Sequence, residues 1–305
     1  MTLSRKPTLL ITGSNGLLGG KLISQALPRF TVAGLSARPC ANAHLGDFAF
    51  AQVDVRDREA VLGAIREVRP AFVIHTAAMT NVDGCEREPE AAWNINAMGT
   101  MNVADACAQT GARLVVLSTD YVFDGHHGPY AEDARPRAIS AYGRSKLAAE
   151  QTVAATCEDY AIARTSVLYG CAPLARPNFV TWLIAELRAG HDVKVVTDQT
   201  GCATLADNLA EMLLALAESE EQGVFHTCGA EWLTRYELAL HIVRQFKLDG
   251  GLILPVLTEA LHQAAPRPKH SGLLTGRIVA ATGMRPLTTD EGLAAFRRQW
   301  EAAGR

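Results

Sequence analysis

What the sequence lacks narrows the choice first. No apolar run approaches the roughly 20 residues that a membrane-crossing helix needs, so no spanning segment is expected. The seven cysteines, at 40, 85, 107, 157, 171, 202 and 228, are odd in number and never spaced Cys-x-x-Cys. That argues against a disulfide framework and against a zinc site, and it favours a reducing, cytoplasmic location. The nine histidines form no His-Glu-x-x-His pattern and no cluster with cysteine, and His126-His127 reads as loop. The formal net charge is -3 with both signs scattered, which leaves no basic footprint for nucleic acid. Repeats and low-complexity segments are absent too. The amino-terminal TLLIT stretch is too short for a signal-peptide core and runs straight into a glycine loop.

What is present is a 305-residue chain, 48% hydrophobic and 20% charged, long enough for one large domain or two modest ones. Apolar runs alternate with helix-length amphipathic segments, the pattern of parallel strands joined by crossover helices. Strands are expected at Thr8 to Thr12, Thr31 to Leu35, Ala49 to Val53, Ala71 to Thr76, Leu114 to Leu117 and Ala161 to Thr165. Helices are expected at Leu17 to Leu27, Asp57 to Val68, one long segment from Pro89 to Gln109, and Ser140 to Thr156. The second half is less regular, with the loop CAPLARPN, helices near Phe179 to Ala189, Ala206 to Ala217 and Tyr236 to Phe246, and the strand VKVV. The expected class is α/β. A Rossmann-type doubly wound parallel sheet spans 1–166, and a smaller C-terminal substrate-binding lobe spans 167–305, with segments around 190–228 candidates to return to the sheet.

Directly after the first strand comes TGSNGLLGG, with Gly13, Gly16 and Gly19 at a spacing that lets backbone approach a pyrophosphate. The following helix would aim its free N–H groups and positive dipole end at that anion. Gly13, Asn15, Gly16, Leu17 and Leu18 are therefore candidate dinucleotide-binding residues. A tight turn is the blander reading of the same glycines. The second strand ends GLSAR, with Ser36 and Arg38 and no acid to hold a ribose 2'-hydroxyl. A hydroxyl and a guanidinium suit a 2'-phosphate, so NADP(H) is favoured over NAD(H). Asp54, with Val55 beside it, follows the third strand and is placed to reach the adenine.

The run LVVL stops abruptly and hands over to Ser118, Thr119, Asp120 and Tyr121. About 25 residues after Thr119, SAYGRSK sets Tyr142 and Lys146 four apart, on one face of a helix. Reducing a ketone with a hydride makes an alkoxide that must receive a proton. A phenol with a pKa of about 10 needs a nearby cation to serve that purpose near neutrality. Lys146 can supply the charge and hold a nicotinamide ribose, and Thr119 can hydrogen-bond the carbonyl oxygen.

Together these stretches resemble the extended short-chain dehydrogenase/reductases, and within them the dTDP-4-dehydrorhamnose reductase family. The resemblance runs through GSNGLLG, HTAAMTNVDGCEREPEAAWNINAMGT, LSTDYVFDG, GPYAEDARPRAISAYGRSKLAAE, RTSVLYG, NFV, DQTG and RPKHSGL. It implies a catalytic triad of Thr119, Tyr142 and Lys146, and a cofactor cleft that includes Ala77, Ala78 and Thr80. It also implies that Asp120, Asn178 and the Arg267 region contact a nucleotide-sugar substrate. From the residues alone APRPKHSG is a surface linker or a diphosphate clamp; the resemblance favours the clamp.

Three positions depart from the family pattern. Val167 stands where a tryptophan is usual, Ala203 where a proline is usual, and Lys21 where some members place a carboxylate for a magnesium ion that bridges a homodimer. No metal is expected. The activity implied is NADPH-dependent reduction of a nucleotide-linked 4-keto-6-deoxyhexose, with no nucleic-acid or membrane partner and a homodimer left open. Two alternatives stay open: a reductase for another deoxysugar, and a regulatory subunit resembling the β subunit of methionine adenosyltransferase.

Overall fold

The computed structural model describes residues 6–172 and 176–304. Its centre is a seven-stranded parallel sheet. Strands β1 (Thr8–Thr12), β2 (Thr31–Ser36), β3 (Ala49–Gln52), β4 (Phe72–His75), β5 (Arg113–Thr119) and β6 (Tyr160–Thr165) run in the spatial order 3-2-1-4-5-6. That is the doubly wound order, and it leaves a crevice where the direction of winding reverses, beyond the carboxyl ends of β1 and β4. The crossovers include α1 (Leu17–Ala26), α2 (Arg58–Val68), α3 (Val82–Arg87), α4 (Pro89–Trp93), α5 (Gly99–Thr110) and α6 (Ala141–Thr156).

Side-chain alternation along the strands divides the core into two layers. Leu9 and Ile11 of β1 face Leu22, Ile23, Leu213 and Phe225, whereas Leu10 packs with Ile65, Val103 and Leu114 on the other side. Local chemistry fixes the helix starts. Asp57 accepts from the Ala60 N–H to begin α2, and Ser140 accepts from the Gly143 N–H to begin α6.

The helix expected to run unbroken from Pro89 to Gln109 is interrupted. A π-turn over Asn94–Met98 separates α4 from α5. The Asn96 side chain is the physical reason. Its Oδ1 accepts from the Met79 N–H at 2.8 Å, and its Nδ2 donates to the Met79 carbonyl at 3.1 Å and to Ser145 Oγ at 3.0 Å. Widening the helix there brings the carboxamide to the segment after β4.

The chain's second half forms β7 (Leu168–Tyr169), α7 (Phe179–Arg188), β8 (Val193–Val196), β9 (Thr200–Cys202), β10 (Thr204–Leu205) and α8 (Ala206–Glu218). Beyond them come β11 (Gly223–His226), β12 (Trp232–Thr234), α9 (Arg235–Phe246), β13 (Ile253–Val256), α10 (Gly276–Thr282) and α11 (Thr289–Ala302). Strand β11 pairs with β6 as the seventh strand of the sheet, and α8 packs against α1 beneath it. The remaining strands form three two-stranded ribbons around a separate apolar cluster that includes Val180, Leu183, Leu238, Ile242, Leu293 and Phe296. Residues 173–175 of the CAPLARPN loop lie outside the described residues. Among those described, no helix is long and apolar enough to cross a membrane.

One buried histidine ties the layers together. His75 Nδ1 lies 2.6 Å from Thr12 Oγ1, and His75 Nε2 lies 3.1 Å from Thr100 Oγ1. Thr100 donates its own proton to the Asn96 carbonyl at 2.6 Å, so it accepts from Nε2–H, and in the neutral ring Nδ1 then accepts from the Thr12 hydroxyl. Burial and the nearby Lys146 hold the His75 pKa down at about 3, and burial and Arg164 do the same for His226. The unfolded chain therefore binds protons that the fold refuses between the ordinary value of about 6.5 and about 3. Stability is fully present above about pH 6.5 and is lost as pH falls through this window, by up to roughly 1.4 kcal/mol per pH unit for each histidine. Urea unfolding of wild type and His75→Gln at several pH values checks this: the variant should lose about one histidine's share of the slope.

Candidate active site

Four loops converge at the crevice beyond the carboxyl ends of β1, β4, β5 and β6. At the first, Gly13 has φ +69°, and a Cβ there would meet Ala77 N at 2.7 Å and Thr76 Oγ1 at 2.8 Å. A side chain is excluded on both counts. Gly19 is equally tight, since a Cβ would lie 2.4 Å from the Gly13 carbonyl oxygen. Gly16 caps α1, with Leu17 and Leu18 opening the helix. Asn15 joins this loop to the end of β2, because its Nδ2 donates to the Arg38 and Pro39 carbonyls at 3.1 and 2.8 Å. Ser36 is half-buried and Arg38 exposed beside it.

Beyond β3, the Asp54 carboxylate is already engaged. Arg56 grips it with Nε and Nη2 at 2.6 to 3.0 Å and holds its pKa below the usual range. Val55 is buried and sits where a Cβ on Gly99 would be, at 2.7 Å. Ala77 and Ala78 line the crevice after β4, half-buried, while Thr80 is exposed at its edge.

The end of β5 is the chemical centre. Thr119 is buried beside Tyr142; its hydroxyl donates to Asp120 Oδ1 at 3.1 Å and accepts from the Tyr121 N–H at 3.2 Å. Burial pushes the Tyr142 phenol well above its ordinary pKa, with the Thr119 contact opposing, so the phenol stays protonated. Lys146, one turn further along α6, is buried, which lowers its pKa to about 8 against the opposing field of Glu150. The cause is desolvation of an ammonium. Glu150 is itself fixed: Ser118 Oγ donates to it, and Arg164 binds it through Nε at 2.9 Å and Nη2 at 2.7 Å. Helix α6 is thereby locked to β5 and β6. The turn after β5 is pressed just as closely against this helix, since a Cβ on Gly143 would lie 2.2 Å from the Tyr121 carbonyl oxygen.

Asp120 faces the other way. Its carboxylate accepts from Thr119 Oγ1 at 3.1 Å, Ser166 Oγ at 2.9 Å and Ser271 Oγ at 2.5 Å. Burial raises its pKa, and the three hydroxyls and Arg235 oppose that. Asn178 also has structural employment. It caps α7 by accepting from the Thr181 N–H at 3.1 Å, and its Nδ2 donates to the Gly170 carbonyl at 2.8 Å. Val167, between β6 and β7, has φ +44°, a conformation that strains a β-branched side chain.

Two guanidiniums stand beyond Tyr121, whose ring meets that of Tyr142 edge-on at 5.6 Å between centroids. Arg267 Nη2 pairs with Asp83 Oδ2 at 2.8 Å, and Arg235 lies over the Phe179 ring at 5.6 Å. Each has a buried Nη1 without a hydrogen-bond partner among the described residues. The fields of both reach the Tyr121 hydroxyl. The sequence reading missed Arg235, since a lone arginine opening a helix carries no local signature. A paired guanidinium site would have needed knowledge of which loop lies opposite.

The model of the RmlD substrate binding domain family matches residues 7–301. The chain belongs to that family. A dTDP-4-dehydrorhamnose reductase from Streptomyces griseus is 37% identical, over 98% of this chain and 92% of that protein. Methionine adenosyltransferase 2 subunit beta from Danio rerio is 30% identical, over 88% of this chain and 83% of its own length. Among solved structures, dTDP-4-dehydrorhamnose reductase from Bacillus anthracis in complex with NADP superposes with a TM-score of 0.88. It is 32% identical, with 96% of this chain and 99% of that one covered. Family membership accounts for the doubly wound sheet and the crossover helices together.

The lowered Lys146 pKa makes a kinetic prediction. If the ammonium supports proton transfer from Tyr142, kcat/KM for ketone reduction falls as pH rises through about 8. Lys146→Arg keeps its charge to far higher pH and should move that fall upward by at least about one pH unit, at reduced overall rate. An unmoved fall would assign it to another group.

Proposed function

We propose that the chain reduces the 4-keto group of a nucleotide-linked 6-deoxyhexose, converting dTDP-4-dehydro-L-rhamnose to dTDP-L-rhamnose at the expense of NADPH. The observation that carries this reading is that buried Thr119 at the end of β5 stands with Tyr142 and buried Lys146, one turn apart on α6, beside the crevice. The backbone cradle at Gly13, which any Cβ would fill, fits a dinucleotide pyrophosphate. Ser36 and Arg38, with no acid at the end of β2, fit a 2'-phosphate. When bound there, the nicotinamide supplies the hydride.

The protein's own residues do the rest. Thr119 and Tyr142 hold the ketone oxygen between two hydroxyls, the Thr119 proton turning from Asp120 to that oxygen when substrate binds, so the carbonyl is polarised and oriented. As the carbon is reduced, its oxygen takes the Tyr142 proton. Burial keeps that proton on the phenol until an alkoxide appears, and the Lys146 ammonium steadies the phenolate left behind. At the far end of the substrate, the unpaired Nη1 groups of Arg235 and Arg267 suit a diphosphate, whose charge would relieve their mutual repulsion. Asp120 acts by fixing Ser166 and Ser271 around the sugar site, and Asn178 by setting the start of α7. The dispersed cysteines fit a cytoplasmic enzyme.

The test is to mix the protein with NADPH and dTDP-4-dehydro-L-rhamnose, follow loss of reduced-nicotinamide absorbance and identify the sugar. Wild type should produce dTDP-L-rhamnose, and Tyr142→Phe should lose at least about 100-fold in kcat. Absence of turnover with NADPH still bound would direct the search to other 4-keto sugars. After those, a pull-down with methionine adenosyltransferase would test a role as a subunit of that enzyme.

A further inference from the structure

Helix α3 is only six residues long, yet its two carboxylates hold the two working ends of the site. Asp83 Oδ1 accepts from the Ala265 N–H at 3.0 Å, and its Oδ2 accepts from Arg267 Nη2 at 2.8 Å. One turn on, Glu86 Oε2 accepts at 2.8 Å from the N–H of Ala141, the residue before Tyr142. Glu86 also lies 3.7 Å from Arg144. The helix is anchored at its start, because Asn81 accepts from the Gly84 N–H at 3.0 Å and the preceding Met79 is gripped by Asn96.

We propose that Asp83 and Glu86 are positioning residues for the reduction. Asp83 sets the Arg267 guanidinium against the substrate's diphosphate, and Glu86 sets the start of α6, and so Tyr142, against its ketone. Helix α3 thus fixes the span between grip and proton donor. The inference rests on the proposed diphosphate and proton-donor roles of Arg267 and Tyr142.

Two details bear on how these carboxylates act. The Arg267 side chain is only 9% exposed, held by Asp83 through Nη2 while its buried Nη1 has no partner among the described residues, so Asp83 fixes the guanidinium and leaves a donor for a ligand. In the first turn of α6, Ser140 accepts from the Gly143 N–H and Glu86 from the Ala141 N–H, so Glu86 ties the turn that carries Tyr142 directly to α3.

Steady-state kinetics of the full chain with NADPH and dTDP-4-dehydro-L-rhamnose test the proposal through the split between KM and kcat. Asp83→Asn should raise the sugar KM about ten-fold with kcat within about three-fold of wild type. Glu86→Ala should do the reverse, lowering kcat about ten-fold at a KM within about three-fold. Glu86→Gln, which keeps an acceptor for the Ala141 N–H, should recover most of that loss. NADPH affinity should be unchanged in all three. Combining Asp83→Asn with Arg267→Ala should be no worse than Arg267→Ala alone, because both act through one guanidinium.

Loss of both kinetic parameters together, in step with a lowered melting temperature, would overturn the proposal in favour of a structural role. So would wild-type kinetics in Asp83→Asn when Arg267→Ala raises KM. An unchanged KM in Arg267→Ala would instead overturn the diphosphate assignment beneath it, and undiminished kcat in Tyr142→Phe the proton-donor assignment.

Discussion

A carboxylate buried at the end of β5 organises much of this molecule. Asp120 has left water, and an ionised carboxylate in that setting is tolerable only with donors around it. The donors come from three places: Thr119 on its own strand, Ser166 after β6, and Ser271 in the loop that also carries Arg267. Satisfying one charge therefore draws the sheet edge, the strained corner at Val167 and a segment about 150 residues distant into one place.

On the other side of Thr119 the same economy of space works on a phenol and an ammonium. Burial disfavours the charged form of each, raising the Tyr142 pKa and lowering that of Lys146. Their rigid surroundings include the Glu150–Arg164 pair, the buried His75 and the close backbone contact at Gly143. Groups fixed this way need little reorganisation when charge develops, which is where preorganised sites gain their rate.

The legible parts of the sequence were those whose signal is local. The strand–glycine loop–helix unit, the abrupt polar end of LVVL and the four-residue spacing of Tyr142 and Lys146 each declare themselves within a few residues, and the fold brings these stretches to one crevice. Other features depend on partners far away in sequence. The π-turn at Asn94–Met98 exists because Asn96 finds Met79 and Ser145, and periodicity alone reads a continuous helix there. That Arg56 pairs with Asp54 across one intervening residue has no signature in the sequence either. Asn178, which the resemblance offers as a substrate contact, also caps α7 with its carboxamide, a role that depends on where the helix begins. The lobe's strands, two to four residues each, are too short to show a period of two.

The seventh strand has a consequence for how the chain is made. Strand β6 is complete at Thr165, but its outer edge is covered only by Gly223–His226, and the apolar face over Leu9 and Ile11 is completed by α8. A nascent polypeptide emerging from the ribosome must therefore carry a bare strand edge and an uncovered hydrophobic layer while the intervening residues are synthesised. At about 5–20 residues per second that interval lasts several seconds. During it the amino-terminal half is the segment most exposed to pairing with a neighbouring chain and most in need of chaperone protection.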